Sequence, residues 1–226
     1  MFPRYANIYM SPFSYIEFWH ANATFLTDVE GIDVGAMGPM ARSQFTEAPL
    51  KGMVLPSELL ISDGQLVRRI DTRTISLEEL IRPHTSSFEF VVKERSESAS
   101  LPAVVYLPTM PLWRQGDPQH FHGMVFWFDA VFTSAISPDP SPERIAPAFG
   151  PATFDSPSSV TLTTRPGNRT HWEQDVCLFL DNPLCVVGSK ISGILRIKRN
   201  DEKKRHYDFE MSLRVADAEL YKYAMT

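Results

Sequence analysis

Phe209-Glu210-Met211-Ser212-Leu213-Arg214-Val215 alternates apolar and polar residues without a fault. Successive side chains of a β-strand point to opposite faces, so this period of two predicts a strand with one buried and one wet face. Working outward, Leu66-Val67-Arg68-Arg69-Ile70 and Phe88-Glu89-Phe90-Val91-Val92 read as further short strands. Gly123 to Phe132 is aromatic and apolar at almost every position, which predicts a strand buried on both faces. The opening segment also reads as a strand through Tyr5, Ile8 and Tyr9, stopped by Ser11-Pro12. Helical spacing is confined to Ser14 through about Arg42. There Tyr15, Phe18, Trp19, Phe25 and Leu26 fall near one face, and Met37 and Met40 sit on a second short helix. Ser76-Leu77-Glu78-Glu79 has the spacing of a capping box, predicting one further helical turn. Many short strands and few helices predict a mainly β chain, an antiparallel barrel or sandwich.

At 226 residues and 43% hydrophobic, the chain is long enough to bury a real core. Its 22 Lys plus Arg against 27 Asp plus Glu argue against a nucleic-acid partner, which would call for a basic surplus. No apolar run approaches the roughly 18 residues of a membrane span, so no membrane partner is expected. The start of the chain lacks the pattern of a secretory signal, and Cys177 and Cys185 match no metal spacing. Together they predict an intracellular protein of the cytoplasm and/or nucleus with two reduced thiols. Residues 134–158, dense in Pro, Ser and Asp, are expected to form an extended surface loop.

Several segments imitate chemistry. Asp33-Val34-Gly35-Ala36-Met37-Gly38 copies the spacing of a glycine-rich nucleotide loop. Such a loop needs an apolar strand before it, and Asp28, Glu30 and Asp33 interrupt that position, so no cofactor site is assigned. Glu78-Glu79 looks like a catalytic carboxylate pair but reads as a solvated helix start. His120-Phe121-His122 offers two imidazoles without a third ligand, so no metal is expected and both are read as strand-edge polar residues. The basic cluster at Lys198, Arg199, Lys203, Lys204 and Arg205 reads as a hairpin turn around Asn200-Asp201-Glu202.

Thr170-His171-Trp172-Glu173-Gln174 is unusual local chemistry, a histidine beside a tryptophan on a loop entering an apolar strand. Leu162-Thr163-Thr164-Arg165-Pro166 precedes it and Ile191-Ser192-Gly193 follows. With Pro3, Phe18-Trp19, Val29-Glu30-Gly31-Ile32-Asp33, Thr74 to Leu80, His122 to Asp129 and Arg205 to Phe209, these pieces stand in the order of one family. The chain resembles the C-terminal half of the class I protein arginine N-methyltransferases. Glu173, where the family commonly has lysine, and His206, where it commonly has aspartate, depart from the pattern.

The resemblance implies three parts. Residues 1–13 would be the interdomain junction and first strand, 14–46 a helical dimerisation arm, and 47–226 an antiparallel β-barrel. The arm would dock through Phe18, Trp19, Phe25, Leu26 and Met37. Thr170 and Trp172 would line the substrate arginine pocket, and His171 would orient an acidic partner from the cofactor domain. The family uses S-adenosylmethionine, whose binding half this chain does not contain. Its expected partners are arginine-containing protein substrates and either a second copy of the chain or a full-length relative. A non-catalytic interaction subunit is the alternative, and a fragment or truncated reading frame is a third.

Overall fold

The computed structural model describes residues 3–16, 29–94, 119–133, 159–168, 170–179, 182–203, 206–216 and 220–225. Twelve strands and two short α-helices follow one another along these residues. The strands are β1 (Tyr5–Phe13), β2 (Leu50–Met53), β3 (Gln65–Asp71), β4 (His84–Val91), β5 (Gln119–His120) and β6 (Gly123–Thr133). They continue as β7 (Ser159–Thr163), β8 (Gln174–Leu178), β9 (Leu184–Cys185), β10 (Lys190–Arg199), β11 (Tyr207–Val215) and β12 (Leu220–Met225). The helices are α1 (Gly38–Thr46) and α2 (Leu77–Ile81).

The main sheet has the order β2-β8-β6-β1-β3, with β7 also paired to β6. A second sheet runs β12-β11-β10-β4, and β5 and β9 form a small ribbon. Every pairing is antiparallel. The strand at 207–215 keeps its expected alternation, with Phe209, Met211, Leu213 and Val215 buried. These side chains meet Met10, Met124, Phe126 and Cys177 of the main sheet in the larger core. The other face of the main sheet buries Tyr9, Phe13, Val125, Trp127, Val176 and Leu178 beneath Leu55 and Leu59. Two covered faces explain why β6 reads as continuously apolar. Side chains close one seam of this barrel, where His84 Nε2 donates to the Val67 carbonyl and Glu89 N donates to Gln65 Oε1. At the opposite seam Lys51 Nζ bonds His206 Nδ1 at 2.9 Å beside a cavity of about 410 Å³.

The first strand corrects the sequence reading, since β1 passes through Ser11-Pro12 and ends at Phe13. The N and O of one strand residue face the same side, and the Pro12 carbonyl accepts from Ile61 N. Its missing N–H therefore faces the side where β3 has already ended, and the β6 ladder loses nothing.

The Ser76 capping box is complete. The serine hydroxyl accepts from Glu79 N, and the Glu79 carboxylate accepts from Ser76 N and Oγ. Those bonds, ahead of the Arg82 charge, hold the Glu79 carboxyl below its usual range. Both Glu78 and Glu79 are exposed, as a solvated helix start requires. The basic cluster is a hairpin turn as read. Asn200 Oδ1 accepts from Glu202 N and Lys203 N, while Lys198 pairs with Asp201; Lys204 and Arg205 lie outside the described residues. So do Phe18, Trp19, Phe25 and Leu26 of the expected arm, and the 134–158 loop. Met37 ends a 3₁₀ turn (Gly35–Met37) leading into α1, where Met40 follows, and both are half exposed.

Gly193 sits in β10 between its partners Phe88 of β4 and Leu213 of β11. A methyl group there would stand 2.1 Å from the Ser212 carbonyl oxygen. Gly193→Ala is expected to cost about 1–3 kcal/mol through overpacking. Ile194→Ala, at the exposed neighbouring position, is expected to stay within about 1 kcal/mol. Urea denaturation of both variants checks the contrast.

Candidate functional site

One edge of β6 is occupied by β1 along Gly123–Val131, from Tyr5↔Val131 to Phe13↔Gly123. The other edge is shared. β8 pairs with Gly123–Phe126 and β7 with Asp129–Thr133, leaving a gap opposite Trp127 and Phe128. The chain between β7 and β8 emerges from the sheet at this gap. Thr164 fastens its start, because its N donates to the Phe128 carbonyl at 3.0 Å and its hydroxyl accepts from Phe128 N at 3.0 Å. Gln174 fastens its end. That side chain is 1% exposed, accepts from Leu55 N through Oε1 at 2.9 Å and donates from Nε2 to the Thr164 carbonyl at 2.7 Å. Between them Gly167, with φ +91°, turns the chain and donates its N–H to Leu55 O.

The Thr170-His171-Trp172 segment is the outer rim of this excursion. Thr170 Oγ1 donates to the Trp172 carbonyl, closing a tight local turn. The Trp172 ring lies 6.2 Å from Phe128 and 6.3 Å from His171, and it is 54% exposed. His171 is exposed as well. The three residues named from the sequence thus stand on one rim, anchored at the two ends of the excursion.

The polar row inside the sheet was not assigned to a site from sequence. Arg69, Asn7, Asp129 and Thr163 stand directly opposite one another across β3, β1, β6 and β7. Arg69 Nε donates to Asn7 Oδ1 at 3.0 Å. Asp129 is 4% exposed, and its Oδ1 has no hydrogen-bond partner among the described residues. Burial pushes its carboxyl up, against a hydrogen bond from Thr163 and the charge of Arg165. Burial, then the Asp129 charge, also raises the Tyr9 phenol to about 12. Arg165 is lowered by its own burial, opposed by Asp63 and Asp129. The one available signal was a single charged residue inside a run read as buried on both faces.

His122 corrects the strand-edge reading. It is fully buried, and its Nδ1 accepts from Tyr15 N at 3.1 Å. His120 bonds the Asn182 carbonyl, with the two rings 5.8 Å apart. Among the described residues no group of three His, Cys, Asp or Glu is placed to hold a metal. Both cysteines are free and buried, and burial pushes both thiols up, Cys185 to about 11. No helix among the described residues is long and apolar enough to cross a membrane.

The model of the arginine methyltransferase oligomerization subdomain matches residues 4–218. The chain belongs to the protein arginine methyltransferase family. It is 25% identical over 229 residues to the probable protein arginine N-methyltransferase 6.1 of Oryza sativa subsp. japonica, covering 99% of this chain and 52% of that protein. It is 26% identical over 225 residues to the probable protein arginine N-methyltransferase 6 of Arabidopsis thaliana, covering 92% and 46%. The chain thus spans about half the length of the curated relatives it matches. Its fold is similar to a chain of the Trypanosoma brucei PRMT1 enzyme-prozyme heterotetrameric complex with AdoHcy. There the TM-score is 0.64 at 16% identity, covering 100% of this chain and 57% of that one. Arabidopsis thaliana protein arginine methyltransferase 10, in an open conformation, gives 0.60 at 18% identity, covering 99% and 59%. Within the family this chain is the mainly β, C-terminal part.

Two substitutions separate the rim from the core. Trp127 is 4% exposed and stacks on Tyr9 at 5.7 Å. Trp127→Ala is expected to cost about 3–5 kcal/mol and Trp172→Ala about 1 kcal/mol or less, measured by chemical denaturation. Asp129 makes a prediction about pH. Its folded-state pKa lies above the ordinary 3.8, so the native protein loses stability as pH rises from 3.8 through the folded value. Asp129→Asn is therefore expected to gain on the wild type over that rise and to show no gain below it, read as the difference in melting temperature against pH.

Proposed function

We propose that this chain is the substrate-facing and dimerising part of an S-adenosylmethionine-dependent protein arginine N-methyltransferase. The observation that carries the reading is the anchored, exposed Thr170-His171-Trp172 rim. An exposed indole held on a fixed turn suits a surface that a second domain completes. Trp172 and Thr170 would form one wall of an arginine pocket. His171 would hydrogen-bond a carboxylate of the cofactor domain and hold it against the guanidinium. Because the guanidinium stays protonated at ordinary pH, methylation depends on carboxylates that localise its charge and aim one nitrogen.

The cofactor supplies the methyl group when bound, and the residues described here do not fit it. In the glycine-bearing stretch the Asp33 carboxylate takes the Gly35 N–H at 2.7 Å, and Gly38-Pro39 opens α1. A turn whose glycine N–H is taken by its own aspartate argues against a phosphate cradle at this stretch. The dimer contact is assigned to residues 14–46, with Phe18, Trp19, Phe25, Leu26 and Met37 meeting a second copy or a full-length relative. A non-catalytic subunit is the second reading, favoured by the enzyme-prozyme complex among the fold matches.

Calorimetric titration tests the first part, with the isolated chain expected to show no heat of S-adenosylmethionine binding. A one-to-one micromolar complex would overturn that assignment. In an enzyme joining this barrel to a cofactor domain, His171→Ala is expected to lower kcat by about 10²-fold or more with a smaller change in KM. Unchanged turnover in that enzyme would remove His171 from the reading.

A further inference from the structure

A second cleft, of about 570 Å³, opens beneath α2 between β3 and the start of β4, lined by Arg68, Arg69, Asp71, Thr74, Arg82 and His84 among others. It is basic on a chain whose net charge is −5. Arg68 is the unusual member. It is 6% exposed and forms no ion pair with a carboxylate among the described residues. Among the described residues its hydrogen bonds run from Nη2 to the carbonyls of Glu79 and Leu80, at 3.3 and 3.4 Å. Nε and Nη1 make none among the described residues. A buried charge left without a counter-charge is costly, so proteins pair such groups.

The backbone aims this side chain deliberately. Ile8 pairs with Arg68 and Tyr9 with Leu66, so Val67 is an extra residue opposite nothing on β1. Such a bulge breaks strict alternation, and here Val67 and Arg68 are both buried in succession. The acidic groups of the cleft are already engaged. Asp71 pairs with Arg4 at 3.0 Å, and the Glu79 carboxylate accepts from Ser76 N and Oγ. Arg69 donates from Nε to Asn7 and lays its guanidinium over the Tyr5 ring, 5.4 Å from the centroid.

We propose that this cleft binds an oxoanion, a phosphate or carboxylate carried by a small organic ligand, on the forked donors of Arg68. The planar guanidinium matches two oxygens of either group at once. Arg69 adds positive potential, while Arg82 is paired with Glu78 at 2.7 Å; the Thr74 hydroxyl adds a donor, and the volume leaves room for the body of the ligand.

The experiment uses the full chain, labelled with ¹⁵N-arginine and titrated with inorganic phosphate or acetate against sodium chloride at matched ionic strength. Saturable movement of the Arg68 Nε–H resonance is expected, half complete on the order of millimolar, with chloride inert. Stronger response to phosphate assigns a phosphorylated ligand, and equal or stronger response to acetate a carboxylate. No saturation by about 100 mM in either arm overturns the proposal. As a second readout, phosphate is expected to raise the melting temperature of wild type and not of Arg68→Gln, with Arg68→Lys intermediate. Equal shifts in wild type and Arg68→Gln overturn it too. Should Arg68→Gln fail to fold, the wild-type titration decides alone.

Discussion

Strand β6 has side chains buried on both faces and hydrogen bonds on both edges, and the rest of the molecule is arranged around that double demand. Met124, Val125, Phe126 and Trp127 are each at most 4% exposed, in direct succession. Such a strand must be central, so β1 takes one edge and two sheet faces must be covered by separate cores. Neither β7 nor β8 is long enough to take the second edge alone. Their collinear sharing of it creates the gap opposite Trp127 and Phe128. The excursion that carries His171 and Trp172 exists because that edge is divided.

Anchoring follows from the same geometry. A loop that left the sheet without support would strand the backbone groups of Phe128. Thr164 answers them at the point of departure, and the Gln174 amide ties departure to return through the Thr164 carbonyl. Two buried polar side chains thereby hold an exposed histidine and indole on a fixed base. Precision comes from what lies beneath the rim rather than from contacts the rim makes for itself.

Legibility in the sequence depended on whether the deciding contacts were local. The strand at Phe209–Val215 declared itself because only one of its faces is covered, and the Ser76–Glu79 box because both partners lie within one turn. Pro12 misled, since a proline breaks only the edge it faces, and which edge was open depended on where β3 ended. Asp129 and Arg68 escaped notice as site residues for a related reason. The row Arg69–Asn7–Asp129–Thr163 is assembled from four strands far apart in sequence, and the bulge at Val67 is a property of the β1–β3 register. The His171–Trp172 pair stood out as a motif, but the divided edge that displays it is wholly non-local.

The β6–β7 pairing has a further consequence for how this protein tolerates change. Thr133 and Ser159 are direct partners, so residues 134–158 leave and return at the tip of one hairpin. Loop-closure entropy grows only with the logarithm of length, about 0.6 kcal/mol for each doubling. A change of length between those two fixed ends leaves the Thr133–Ser159 pair free to keep its register, and with it the ladder on which Asp129 and Thr163 stand. What the polar row requires of the sequence between is only that its two ends meet at the Thr133–Ser159 pair.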